Sequence, residues 1–310
     1  MSEVIIIGAG PAGLTAALYL ARQEVKFLIL TEHLGGELIN LDTISNYPAL
    51  GTIKGLELAR KLKEQLSEYA VEIKEGVSVK KLEKKGDKFL VTAEKNGQIL
   101  QFESQAVIIA TGKKPKKLNV KGEDLFLARG LSYCSICDGH LFKNKKVAVI
   151  GSGRSAASAA LNLQFLASEI FLLSKYPQLK VEELTRKQLA QSSKIKILAP
   201  VLTTEIFGDQ LVKGLKYLDQ KDNQIKSLEV DGVFVYIGFE PNSDFVAANL
   251  KNEKGEIKVN ERGETEIKGL FAAGDVTNSP YKQIVIAAAS GSIAALSAIE
   301  YLGKTSSTFG

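Results

Sequence analysis

Two stretches of the sequence repeat one another. Residues 4–32 read VIIIGAGPAGLTAALYLARQEVKFLILTE, and residues 147–175 read VAVIGSGRSAASAALNLQFLASEIFLLSK. Aligned, Gly8 falls on Gly151, Gly10 on Gly153 and Gly13 on Ala156, while Ala16, Ala17 and Leu18 fall on Ala159, Ala160 and Leu161. Each copy is an apolar run of strand length, a glycine turn, an Ala/Leu-rich helical stretch and a second apolar run. That is a βαβ unit, whose parallel strands require a crossover helix. A chain of 310 residues has room for about two domains at roughly 150 residues each, one per copy.

Each glycine turn follows a strand pattern and opens a helix pattern, the context in which G-x-G-x-x-G signals dinucleotide binding. The first glycine allows the tight turn, the second admits a pyrophosphate close to the backbone, and the third lets helix pack on strand. The pyrophosphate then meets free N–H groups at the helix N-terminus. The expectation is one site at Gly8, Gly10, Pro11, Ala12 and Gly13, and a second at Gly151, Gly153, Arg154, Ser155 and Ala156. The strand that ends each copy carries the ribose-reading position. In the first it is Glu32, whose carboxylate suits ribose hydroxyls, as in FAD. In the second, Lys175 follows Ser174 and precedes Tyr176, and with Lys180 beyond and Arg154 at the turn it offers up to three cations to a phosphorylated ribose.

Between the copies, residues 70–108 alternate in polarity and are broken at Gly86-Asp87 and Asn96-Gly97, both hairpin signals. Two polar stretches, Lys113–Lys117 and Glu240–Asp244, bracket the second copy. The expected architecture is α/β, with two Rossmann-like, three-layer nucleotide-binding domains, the second inserted into the first. The FAD-type domain comprises residues 1–112 and 245–310; the inserted, nicotinamide-type domain comprises 113–244. Near the C-terminus, GLFAAGD (269–275) reads as a strand ending in a carboxylate at a sheet edge.

Hydrophobic residues make up 45% of the chain and charged residues 24%, which excludes a largely disordered or collagen-like chain. The net charge of +5 is too small and too scattered to indicate nucleic acid. Two uncharged runs, Val4–Ala21 and Gln283–Ile299, approach the length of a membrane span. The first is interrupted by Gly8, Gly10, Pro11 and Gly13, and the second is rich in Ala, Ser and Gly, as an internal helix would be. With no targeting segment, the expectation is a cytoplasmic protein without a membrane partner.

The only cysteines are Cys134 and Cys137, in LSYCSICDGHLF. In a reducing compartment, C-x-x-C is the spacing of a redox-active disulfide. Asp138 and His140 place proton donors nearby. Structural zinc would need a fourth ligand beside Cys134, Cys137 and His140, and the other histidine, His33, is distant in sequence. Two buried thiols are the remaining reading. Electron flow uses all the parts: nicotinamide hydride to flavin, flavin to disulfide, dithiol to a partner's disulfide.

The segments GAGPAG (8–13), SNYP (45–48), IIATG (108–112), YCSICDG (133–139), GSGRSA (151–156) and GLFAAGDVTNSPYKQIVIAAASG (269–291) resemble those of low-molecular-weight thioredoxin reductases. The resemblance covers nearly the whole chain. It implies a homodimeric FAD-dependent thioredoxin-disulfide reductase using NADPH, with thioredoxin or a thioredoxin-like or glutaredoxin-like protein as partner. It further implies that Cys137 lies against the flavin, that Cys134 attacks the partner disulfide, and that Asp138 donates protons. FAD contacts are implied at Gly36, Asn46, Ala110, Thr111, Gly112, Gly274, Asp275, Gln283 and Ile284. In this family the inserted domain rotates about its two linkers, so that dithiol and nicotinamide reach the flavin in turn.

The chain departs from that family at the nicotinamide site. Arg154 stands where Asp or Asn is usual. Ser174, Lys175, Tyr176 and Lys180 stand where His-Arg-Arg and a third Arg are usual. Lysine is a point charge, without the bidentate fork of arginine. NADPH remains the expected donor, with NADH, reduced ferredoxin or a deazaflavin as alternatives. A supply line to a peroxidase and a flavin-bound redox sensor are the other readings.

Overall fold

A computed structural model describes residues 2–41 and 44–303. The chain begins with β1 (Val4–Ala9), α1 (Pro11–Arg22), β2 (Phe27–Leu34), α2 (Gly55–Glu64) and β3 (Glu72–Glu75). It continues through β4 (Ser78–Lys85), β5 (Lys88–Lys95), β6 (Gln98–Ser104), β7 (Ala106–Ile109) and β8 (Lys113–Pro115). Then come α3 (Glu123–Phe126), β9 (Leu131–Ser132), α4 (Ser135–Asp138), β10 (Lys146–Ile150), α5 (Arg154–Leu163), β11 (Glu169–Leu173), α6 (Glu183–Gln191) and β12 (Ile195–Leu198). The antiparallel run β13 (Val201–Gly208), β14 (Val212–Asp219) and β15 (Gln224–Glu229) leads to β16 (Gly232–Val235) and β17 (Phe239–Pro241). The chain closes with β18 (Leu270–Ala272) and α7 (Ile284–Tyr301).

These elements form two compact units. One runs up to Lys114 and resumes at Glu240; the other is Pro115–Phe239. The seams lie near the two polar stretches, after Lys114 rather than Gly112 and before Glu240 rather than after Asp244. The connecting segments β8 and β17 pair as a two-stranded sheet.

In the first unit the sheet order is β18-β7-β1-β2-β3, parallel throughout. Alternation along β1 explains its two faces, because successive side chains point to opposite sides. Val4 and Ile6 pack with Leu14, Ala17 and Leu20 of α1 and Ala294, Ala295 and Ala298 of α7. Ile5 and Ile7 pack with Phe89, Val91 and Ala93 of β5, in the antiparallel sheet β4-β5-β6. Its hairpins turn at Gly86-Asp87 and Asn96-Gly97, between the pairs Lys85–Lys88 and Lys95–Gln98. α7 is apolar and long enough to cross a membrane by length and composition. Its small residues instead bring it against α1: a side chain at Gly291 would overlap the Ala12 carbonyl.

The second unit repeats the plan. Its sheet β12-β11-β10-β16-β9 is parallel, and β13-β14-β15 covers one face. Val147 and Val149 meet Ala156, Ala160 and Leu163 of α5, while Ala148 and Ile150 meet Ile206 and Leu215. In each unit the first strand of the repeat lies between its own second strand and one from much later in the chain: β1 between β2 and β7, β10 between β11 and β16. Ligands bind open α/β sheets at such switch points, beyond the strands' C-terminal ends.

Candidate active site: two glycine turns and a disulfide

Both glycine turns sit at these switch points. Gly8 has φ +105°, open to glycine at little cost, and a side chain there would overlap the Ala110 carbonyl. A side chain at Gly13 would overlap the Gly8 carbonyl, so the first turn of α1 can approach β1 only without one. Gly10 is different. Its φ of −79° and ψ of −171° suit any residue, and among the described residues nothing beyond its chain neighbours lies within 4 Å of where its Cβ would be. Gly153 repeats this, with φ −105°, ψ −174° and the same open space. Nothing among the described residues calls for glycine at these two positions. An anion drawn close to the backbone does, and the residues present therefore fit a dinucleotide pyrophosphate.

Of the other residues expected at the FAD site, Pro11, Gly36, Ala110, Thr111 and Gly274 adjoin the first turn. Pro11 opens α1, where its missing N–H leaves no bond unmade. Gly36 approaches Gly10: its Cβ would stand 3.2 Å from the Gly10 Cα. Glu32 is exposed near the end of β2. Ala110 continues from β7 against Gly8, and its N–H donates to Ile7 O at 2.7 Å. Thr111 and Gly112 face the second connection: the Thr111 hydroxyl donates to Asn242 O at 2.6 Å, and Gly112 O accepts from Asn242 N–H at 3.0 Å. Gly274 backs onto α1, 3.0 Å from the Ala12 Cβ when given a side chain, and its N–H donates to Ser290 Oγ at 2.8 Å. Asn46 donates to Gln283 Oε1 at 3.0 Å, joining two expected contacts far apart in sequence. Ile284 packs with Leu38, Ile44 and Leu58 beside them.

Asp275 is paired with Lys113 at 3.1 Å. Glu37 belongs to the same cluster. Burial holds its carboxyl above the ordinary range, the Asn40 hydrogen bond and the Lys113 charge oppose this, and the Asp275 charge adds to it. Neither Glu37 nor Lys113 is marked out by the sequence pattern, although they directly follow Gly36 and the IIATG segment.

In the second unit, Lys180 N–H donates to Ser152 O at 2.7 Å, fixing Lys180 beside Gly153. Lys180 Nζ lies 3.9 Å and Lys175 Nζ 5.0 Å from the Tyr176 ring centroid, and all three residues are exposed. The Lys175 hydrogen bond and charge, followed by the Lys180 charge, hold the Tyr176 hydroxyl below its ordinary range. Ser155 is exposed, and Ala156 is fully buried beneath Gly151. Two expected readers turn out differently. Ser174 is fully buried, its hydroxyl 2.9 Å from Ser152 Oγ and donating to Tyr176 O at 2.8 Å, so it shapes the turn instead of facing a ribose. Arg154 is ion-paired with Glu182 at 3.0 Å, so one of the three expected cations meets a carboxylate of the chain itself.

Cys134 and Cys137 form a disulfide, Cα atoms 5.4 Å apart, which occupies both sulfurs. The pair follows β9, whose parallel pairing with β16 brings it out at the C-terminal edge of the sheet that carries the Gly151 turn. Cys134 is half-buried and Cys137 exposed. Cys137 N–H donates to Cys134 Sγ at 3.1 Å, a bond that favours a thiolate on Cys134 after reduction. Asp138 ends α4, and its N–H donates to Cys134 O at 3.2 Å.

Two anchors that sequence reasoning missed hold this turn. Buried Glu123 accepts from the Leu118 and Asn119 N–H groups and from the Tyr133 hydroxyl, each at 2.7 Å. Burial, then the bond to Glu123 and its charge, hold the Tyr133 hydroxyl well above its ordinary range, so it stays a donor. Ser135 N–H donates to Tyr236 Oη at 2.8 Å, with Ser135 Oγ 2.8 Å from the same oxygen. Tyr236 directly follows the buried run Gly232–Val235, the one local hint of its place at a strand end.

Residues 2–291 match the profile of a family described as pyridine nucleotide-disulphide oxidoreductase. The chain is 39% identical over 301 residues to a protein of Bacillus subtilis named NADH dehydrogenase, covering 97% of this chain and 58% of that protein. It is 38% identical over 307 residues to a protein of Xanthomonas campestris named as part of an alkyl hydroperoxide reductase, covering 98% and 58%. It thus spans a little over half the length of these curated relatives. Among solved structures, it is similar to a thioredoxin reductase of Lactococcus lactis, with a TM-score of 0.85 and 34% identity, covering 98% of this chain and all of the other.

Proposed function

The chain belongs to the pyridine nucleotide-disulphide oxidoreductase family, and from that premise we propose that it is an FAD-dependent disulfide reductase. In this reading NADPH reduces thioredoxin or a thioredoxin-like protein by way of Cys134 and Cys137. The carrying observation is the Cys134–Cys137 disulfide at the same sheet edge as a dinucleotide-type turn. Bound FAD would supply the two-electron relay between nicotinamide and disulfide.

The chain's own residues then have distinct tasks. The first unit would hold FAD at Gly8, Gly10, Gly13, Glu32, Gly36 and Asp275, with Lys113 offsetting the Asp275 charge. The second would hold NADPH at Gly151 and Gly153. After two electrons and two protons have opened the Cys134–Cys137 bond, the Cys134 thiolate attacks one sulfur of the partner's disulfide. That forms a mixed disulfide and releases one partner thiol, with Asp138 supplying the proton. Cys137 then attacks Cys134 Sγ, restoring the internal disulfide and releasing the second partner thiol. The overall exchange converts NADPH, a proton and the partner's disulfide into NADP⁺ and the partner's dithiol.

The donor is read from the second turn. Lys175 and Lys180 flank Tyr176, as suits a 2′-phosphate, whereas Glu182 beside Arg154 works against one. This pairing, and the Bacillus relative's name, support NADH as the second reading. Exposed cation contacts contribute about 1 kcal/mol each. Lys175→Glu should therefore slow flavin reduction by NADPH about tenfold and leave NADH unchanged or faster. Stopped-flow mixing with each nucleotide reads this directly. Equal loss with both would remove Lys175 as a 2′-phosphate reader, and no reduction by either would shift the donor to reduced ferredoxin.

The proposed assembly is a homodimer. Val285 and Ile293 on α7, with Tyr281 just before it, expose apolar surface that a second copy would cover. Light scattering should give twice the chain mass, and a monomer at micromolar concentration would contradict it.

A further inference from the structure

We propose that Tyr236 is a positioning residue for the Cys134/Cys137 couple: its hydroxyl holds the turn between the two sulfurs, while its backbone is fixed in the Gly151 turn. This rests on reading the pair as a working redox couple. Ser135 lies between the cysteines and is 7% exposed. Its N–H donates to Tyr236 Oη at 2.8 Å, and its Oγ is within 2.8 Å of the same atom. The turn is therefore held at its first helical residue by a group from another strand end. Ser132 Oγ accepts from Cys134 N–H at 2.9 Å, and Cys137 N–H reaches Cys134 Sγ at 3.1 Å, so the loop is held on both sides of Ser135.

The other end of Tyr236 is equally constrained. Its N–H donates to Ile150 O at 2.7 Å, the last residue of β10. Its carbonyl lies where a side chain at Gly151 would be, so Gly151 and Tyr236 are packed backbone to backbone. Its ring packs with the core formed by β10 and α5. One residue thus joins the dithiol turn to the dinucleotide turn.

The consequence is thermodynamic. Closing the Cys134–Cys137 bond needs both sulfurs in one place, and a turn pinned at Ser135 keeps them there, raising their effective concentration. Without the Tyr236 hydroxyl the buried Ser135 N–H loses its acceptor in the closed ring. The opened dithiol turn can relax and hydrate that group. Tyr236 therefore favours the disulfide over the dithiol.

The test is the glutathione equilibrium of the full-length holoprotein. Two glutathione thiols are oxidised to one glutathione disulfide as the Cys134–Cys137 bond breaks and each sulfur takes a proton. The ratio is read by acid quench, alkylation and mass spectrometry. Tyr236→Phe, which keeps the packed ring, should raise the equilibrium constant for reduction about tenfold, equivalent to about 30 mV. Tyr236→Phe combined with Ser135→Ala should shift it no further than the two single changes predict for one shared interaction, that is, less than their sum. An unchanged constant in Tyr236→Phe, or strictly additive shifts, would overturn the proposal. A wild-type pair that never equilibrates with glutathione would instead overturn the redox reading on which it rests.

Discussion

Replacing either cysteine with serine should abolish reduction of a thioredoxin-like disulfide, on the order of a thousandfold or more, without disturbing the fold. Residues that act as one catalytic unit lose nearly everything when either is removed. In the proposed mechanism Cys134 and Cys137 are such a unit: one attacks, the other resolves. Both lie at or near the surface, Cys134 capping and Cys137 within the four-residue helix α4, so serine, one atom different, leaves the packing unchanged. The variants should differ in their spectra. On the expected assignment of Cys137 to the flavin side, Cys134→Ser should add a long-wavelength absorption band from the remaining thiolate; Cys137→Ser should lack it. Finding the band in Cys137→Ser alone would reverse the two roles while keeping the couple.

The second large effect separates binding from folding within one glycine motif. Gly10→Val should yield a folded, colourless protein that takes up FAD at least about a hundredfold more weakly, because the side chain would stand where the pyrophosphate approaches. Backbone angles at Gly10 tolerate valine, and among the described residues nothing beyond its chain neighbours opposes it within 4 Å. Gly13→Val should instead fail to fold, since its Cβ would overlap the Gly8 carbonyl and force α1 from β1. Overlap of that kind belongs with the exceptional destabilisations above about 4 kcal/mol. Gly153→Val should leave FAD bound and remove nicotinamide reduction. Flavin absorbance after purification and circular dichroism check the first two, and mixing with NADPH checks the third. A yellow Gly10→Val protein with unaltered affinity would place the pyrophosphate elsewhere.

The contrast between Gly10 and Gly13 also shows which features are legible in the chain alone. The repeat predicts two parallel sheets because every part of the pattern is local: an apolar run, a turn and a helix. The hairpins at Gly86-Asp87 and Asn96-Gly97 are legible for the same reason, the turn residues lying between alternating strands. The neighbourhood of the C-x-x-C is not. Glu123 reaches Tyr133, and Tyr236 reaches Ser135 from the far end of the unit; neither leaves a periodic trace. Ser174 shows the reverse error. Its place after an apolar strand suggests a ribose reader, yet burial turns its hydroxyl toward Ser152 and Tyr176. Arg154 likewise suggests a phosphate ligand, but the fold sets Glu182, just before α6, beside it. Strand and turn identity come from short-range sterics, whereas the charge balance of a site is set by residues that only the fold brings together.

The most direct measurement of electron flow is anaerobic reduction of the yellow holoprotein with NADPH, followed by rapid acid quench, alkylation and mass spectrometry of the peptide spanning Cys134 and Cys137. The account predicts bleaching of the flavin with both cysteines alkylated, and their return to a disulfide once an oxidised thioredoxin-like protein is added. Flavin bleached by NADPH while Cys134 and Cys137 remain joined would contradict it.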